Sequence, residues 1–147
     1  MCYKVIVQDI DASSKEEALL LSANALKEKG YVKDSFYDAC IEREKVYPTG
    51  VPSVVPVAIP HTDAEHVIEK AICISRLSKP IAFHSMENVE SEINVEYIFN
   101  LAIKEGKDQM KMLKAIMKIA HDFEGLNKAK TMNLEDMKNY FMGFLGE

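Results

Sequence analysis

Several signatures of familiar enzyme chemistry are missing from this chain. No Gly-x-Ser-x-Gly elbow presents a nucleophilic serine. No Walker-type or Gly-x-Gly-x-x-Gly loop offers a nucleotide its phosphate cradle. No Cys-x-x-Cys pair occurs; the three cysteines, Cys2, Cys40 and Cys73, form an odd, unpatterned set. With no signal peptide, such a set implies a reduced, cytoplasmic setting. Metal ligands are sparse: His61 and His66, the nearest pair among four histidines, flank a turn and make poor geometry for a shared ion. Neither a metal nor a cofactor is implied. Positive charge is short as well. A net charge of −5 and a pI near 5.4 argue against a nucleic-acid partner, while leaving room for a local phosphate pocket. No apolar run reaches the roughly 18 residues of a membrane span, so the chain is not expected to insert in a membrane directly.

What is present suffices for one ordinary domain over residues 1–147, with 48% apolar residues to build a core. Residues 3–10 alternate as a first strand. Ser13-Ser14-Lys15-Glu16 reads as a capping box for a helix with Ala18, Leu21, Ala25 and Leu26 at helical spacing, stopped by Gly30. Asp34 is expected to cap a second helix running to Val46, with a stripe of Phe36, Cys40, Arg43 and Tyr47. Residues 70–77 are apolar on both faces, as in a buried central strand, which Ser78-Lys79-Pro80 should break. The clearest alternation runs from Ile93 to Ile103. Asp108 is expected to cap a helix with Met110, Leu113, Met117 and Ala120 inward and Lys111, Lys114 and Lys118 outward. A last helix spans 133–144 around Leu134, Met137 and Phe141. Strand, two helices, several strands, then helices predicts an α/β (α+β) fold, a mixed sheet flanked by helices.

The chain is organised around Val55-Pro56-Val57-Ala58-Ile59-Pro60-His61-Thr62. Four of the five prolines fall at 48, 52, 56 and 60. Proline at every fourth position excludes helix, so residues 54–59 should lie extended along a sheet and deliver His61 at the end. Thr62-Asp63-Ala64-Glu65 has the form of a capping box, which predicts a helix N-terminus beside His61 and a place for an anion. A neutral imidazole there could attack phosphorus through one nitrogen while a carbonyl or carboxylate holds the other N–H. On residue type alone, a lone histidine after a strand is more commonly structural. Arg43 admits two readings: its stem covers the core while its head reaches water, or its guanidinium points into the His61 site.

Glu42-Arg43-Glu44, Tyr47-Pro48-Thr49-Gly50 and Val57-Ala58-Ile59-Pro60-His61-Thr62, in that order, resemble the fructose/mannitol-type (type 2) enzyme IIA of the bacterial phosphoenolpyruvate-dependent sugar phosphotransferase system. His66, and Gln109 followed by Met-Lys-Met-Leu-Lys, are most similar to its galactitol-specific branch. The resemblance implies the fructose/mannitol-type IIA fold and a cytoplasmic phosphotransferase working through a phosphohistidine. His61 would be phosphorylated on Nε2 by phospho-HPr. It would pass the group to a cysteine of a IIB component, which serves a membrane IIC and the uptake of a sugar or sugar alcohol. A regulatory protein controlled by His61 phosphorylation is the alternative. Arg43 would stabilise the phosphoryl oxygens. Gln109 stands where mannitol-type relatives carry a second histidine; it could donate a hydrogen bond to the phosphoryl group but cannot change charge near pH 7. None of the cysteines sits in the anion-cradling loop that a IIB needs.

Overall fold

Two helices open the chain's α-structure, and both are set by their ends. The computed structural model describes residues 3–145; Cys2 lies outside them. Strand β1 (Lys4–Ile10) leads into α1 (Lys15–Glu28). The N-cap of α1 is Ser14, one residue later than the sequence pattern indicates. Its side chain accepts from the Glu17 N–H at 3.1 Å, and Glu17 reaches back to the Ser13 N–H at 2.8 Å. The helix stops at Gly30 as expected, with φ +80°. There the Tyr31 N–H bonds the Leu26 carbonyl and the Gly30 N–H the Lys27 carbonyl, a Schellman closure that a side chain would strain. The second helix, α2 (Phe36–Val46), is capped at Ser35, not Asp34, whose carboxylate instead pairs with Lys27 at 3.6 Å.

The proline stretch is less regular than its apolar residues suggest. Only β2 (Gly50–Val51) and β3 (Val57–Ala58) are strand. Pro52 and Pro56 have no N–H to give a ladder, and Val54 is exposed. Gly50 has a steric reason: a Cβ there would lie 2.6 Å from the His84 carbonyl oxygen. After His61 the chain makes only a short 3-10 turn at Ala64–His66, with no side-chain cap. The helix expected after His61, short at most over residues 64–68, is cut to this one turn, because Val67 turns extended and pairs with Val32.

Strands β4 (Ala71–His84) and β5 (Glu92–Ala102) are the long members of the sheet, whose order is β1-β4-β5-β3-β2. β1 runs parallel to β4, β4 antiparallel to β5, β5 parallel to β3 and β3 antiparallel to β2, so the sheet is mixed. Ser78-Lys79-Pro80 does not end β4. Its register with β5 shifts between Arg76 and Ile81 and then resumes, so the proline sits in a bulge.

Helices cover both faces. On one, α1 and α2 bury Leu19, Leu26, Phe36 and Cys40 against Cys73, Ile98 and Ala102. On the other lie α3 (Gly106–His121), α4 (Phe123–Ala129) and α5 (Leu134–Leu145). There Phe141 packs edge-on against Tyr97 and Phe99, with ring centroids 5.9 and 5.4 Å apart. The face of α3 is rotated from the expected stripe: Met112, Ile116, Ile119 and Ala120 are buried, while Met110 is exposed. Apolar residues cover more than one stripe of this helix. Asp108 is no cap (the N-cap is Glu105) but is buried against Lys70 at 3.4 Å. The short α4 carries no long periodic pattern and was not anticipated.

Candidate functional site

His61 follows β3 by three residues, pinned on both sides. The Leu101 N–H of β5 bonds the Pro60 carbonyl at 2.9 Å, and the Ile59 N–H bonds the Thr49 carbonyl at 3.2 Å. The ring itself is half-buried. Its Nδ1 lies 2.8 Å from the Ile59 carbonyl oxygen. A carbonyl can only accept, so Nδ1 carries the proton and donates it. The neutral ring then has its lone pair on Nε2. Burial is the largest influence on the imidazole and pushes its pKa below the ordinary value of 6.5. The Ile59 bond opposes this, the Arg43 charge adds to the lowering, and Asp63 opposes it. The ring is thus kept neutral, the form in which nitrogen is a nucleophile.

Arg43 comes from the last turn of α2, where a cation suits the helix dipole. Its guanidinium is only loosely held. NH1 is 4.0 Å from an oxygen of the exposed Asp63, and the head lies 5.3 Å from the centre of the Tyr47 ring. Its Nε is buried with no hydrogen-bond partner. A buried donor without a partner is costly, and an anion arriving in the cleft would relieve that cost. Tyr47, expected on the buried stripe, is exposed instead and supplies a face for the guanidinium. The cleft beside Arg43 is also lined by Ala39, Glu42, Thr62, Asp63 and His66.

His66 is fixed by Ser35, whose Oγ is 2.7 Å from its Nδ1. Gln109 occupies the first turn of α3, near the end of β5, and makes no hydrogen bond to His61 or Arg43. His84 and His121 each bond a nearby backbone carbonyl through Nδ1, at 2.9 and 2.7 Å, and His84 Nε2 also lies 3.8 Å from the Glu92 carboxylate. Cys40 and Cys73 are buried, and burial drives both thiols up, Cys73 to about 12, so neither is a nucleophile near neutrality. Among the described residues, no three His, Cys, Asp or Glu side chains gather as a metal would need, and no helix is long and apolar enough to cross a membrane.

A residue not anticipated from the sequence is Glu44. It is 4% exposed and accepts from the Thr49 N–H at 2.8 Å and the Thr49 hydroxyl at 3.0 Å. One signal could have found it: Phe36, Cys40 and Glu44 step by four along the buried face of α2.

Residues 3–141 match the family described as phosphoenolpyruvate-dependent sugar phosphotransferase system, EIIA 2. The chain belongs to this family. Within it, the mannitol-specific phosphotransferase enzyme IIA component of Halalkalibacterium halodurans is 31% identical over 141 residues, covering 93% of this chain and 88% of that one. The PTS system galactitol-specific EIIA component of Escherichia coli K12 is 25% identical over 132 residues, covering 89% of this chain and 87% of that protein. A structure of the complex of enzyme IIAMtl and phosphorylated enzyme IIBMtl from Escherichia coli matches with a TM-score of 0.78, at 17% identity, covering 95% of this chain and 94% of that one. That likeness shows the fold, and it is the mixed sheet flanked by helices expected from the sequence. In this EIIA-family chain, Arg43 lies near enough to His61 for its charge to act on the ring, and Gln109 makes no hydrogen bond to either.

Proposed function

We propose that this chain is a cytoplasmic phosphoryl carrier that takes a phosphoryl group on His61 Nε2 from the phosphohistidine of HPr and hands it to a cysteine of a IIB protein. The observation that carries this reading is the pairing of an imidazole whose Nδ1–H is fixed on the Ile59 carbonyl with an arginine whose Nε has no partner.

In the first step the Nε2 lone pair attacks phosphorus. The new N–P bond forms as the N–P bond to the donor histidine breaks, and the donor nitrogen recovers its electron pair. Nδ1–H stays on the Ile59 carbonyl throughout, so the ring needs no proton rearrangement. Charge spreads over three phosphoryl oxygens in the transition state, and Arg43 is the cation beside them. Asp63, weakly paired and exposed, gives up the guanidinium as the phosphoryl group arrives. In the second step a thiolate of the acceptor attacks phosphorus, the S–P bond forms and Nε2–P breaks. Gln109 would contribute, at most, an amide hydrogen bond after a side-chain rotation. The phosphoryl group would pass from the IIB protein to a sugar or sugar alcohol entering through a membrane IIC, galactitol-like in class.

The test is incubation with phosphoenolpyruvate, enzyme I and HPr. One acid-labile phosphate per chain is expected. Phosphate on a residue other than His61 would overturn the assignment.

A further inference from the structure

A carboxylate buried one residue beyond Arg43 needs an explanation. Ionised groups are rarely buried unless something holds them, and Glu44 is held by a single residue. One oxygen accepts the Thr49 N–H at 2.8 Å, and the Thr49 hydroxyl donates between both oxygens at 3.0 and 3.1 Å. With its only proton committed to Glu44, the hydroxyl must present a lone pair elsewhere, and the Ile59 N–H donates to it at 3.1 Å. Ile59 is the residue whose carbonyl takes the His61 Nδ1–H. A chain of hydrogen bonds therefore runs from Glu44 on α2, through Thr49, to the acceptor that sets the imidazole tautomer. Arg43 and Glu44 are neighbours on α2, about a quarter-turn apart: the arginine lines the cleft, and the glutamate is buried.

We propose that Glu44 and Thr49 are positioning residues for phosphoryl transfer, bolting the helix that carries Arg43 to the segment after β3 that carries His61 and holding the His61 ring in its Nδ1–H tautomer. The proposal rests on the reading of His61 as the phosphoryl acceptor. Thr49 is the sensitive link. Its hydroxyl is the one group that both donates to Glu44 and accepts from Ile59, while its backbone makes bonds that any residue would keep.

The test compares Thr49→Val, Thr49→Ser and Glu44→Gln by two measurements on the whole chain. Nitrogen NMR of the His61 ring reads the tautomer without any phosphorylation. Single-turnover labelling by phospho-HPr reads the rate and its dependence on donor concentration. The wild type should show one tautomer, with Nδ1 protonated. Thr49→Val, nearly the same shape, should show mixed tautomers and a maximal rate lower by about 10- to 100-fold with the donor's half-saturating concentration unchanged. Thr49→Ser should behave as wild type, and Glu44→Gln should fall between. A folded Thr49→Val with the wild-type tautomer and rate overturns the proposal. If that variant does not fold, Glu44→Gln decides: wild-type tautomer and rate in it overturn the proposal equally. A wild-type chain that takes no label defeats the carrier reading itself, whereas a labelled wild type beside an indifferent Thr49→Val defeats only the positioning role.

Discussion

The chain has two arginines, and the structure surrounds them in opposite ways. Arg76, on β4, has all three of its nitrogens engaged. Two of its nitrogens grip the carboxylate of Asp9, and NH1 donates to the Ala129 and Met132 carbonyls at 2.7 Å each. That single side chain ties β1 to β4 and closes the end of α4. The bond to Arg76 holds the Asp9 carboxyl below the usual range. Arg43 has one distant carboxylate at 4.0 Å, one aromatic face and a buried Nε with nothing to bond. Its side chain is 33% exposed, against 13% for Arg76. An arginine that serves the fold spends its donors on the fold. On the carrier reading proposed above, the donors left over on Arg43 would serve a tetrahedral anion carrying several oxygens.

Three substitutions would break or sharpen that contrast. The largest effect belongs to the imidazole that Arg43 attends. His61→Gln should take up no acid-labile phosphate in the enzyme I and HPr assay while unfolding like wild type; full labelling of that variant would end the carrier reading. Next, Arg43→Ala should slow labelling by about 100- to 1000-fold, the usual range for removing one donor aimed at developing charge, with its urea midpoint unchanged. An unaltered rate would show that the unspent donors have no part in transfer. Arg76→Ala should do the reverse. It removes hydrogen bonds to a charged group and strands two carbonyls, so it should cost about 2–3 kcal/mol in urea unfolding, yet leave the labelling rate of the folded protein intact. A slow but stable Arg76→Ala would erase the distinction.

The prolines single out His61 and an odd place on an apolar helix stripe singles out Arg43, because both features violate local rules, but only the resemblance to the IIA family gives either a role. What the sequence hid were the partners. Ser14 caps α1 where Ser13 looks as good, and α2 starts after Ser35, whose hydroxyl is spent on His66 and not on the helix end. The capping box after His61 yields only one 3-10 turn, because long-range pairing of Val67 with Val32 overrides the local signal. Glu44 is invisible to any rule that places charge outside. Its burial makes sense only once Thr49, five residues on and across a proline turn, is seen to fold back onto it.

The smallest effect is the most diagnostic of how Arg43 and Asp63 act on the ring. Burial dominates in lowering the His61 pKa, and the two charged side chains act with opposite signs, Arg43 lowering and Asp63 raising it. Removing the cation in Arg43→Ala makes imidazolium easier to form, so the titration midpoint of His61 should move up. Removing the anion in Asp63→Asn makes it harder, so the midpoint should move down. The wild-type labelling rate should rise with pH through the folded pKa, below the ordinary 6.5, and level off once the ring is neutral. The rate plateau of Asp63→Asn should therefore extend to lower pH than that of wild type, and that of Arg43→Ala should begin at higher pH. Because Asp63 is exposed, added salt should shrink the Asp63→Asn shift first. Proton NMR of the ring across pH reads all three midpoints directly. An unmoved midpoint in both variants would mean that neither charge reaches His61 and that burial and the Ile59 bond set its titration.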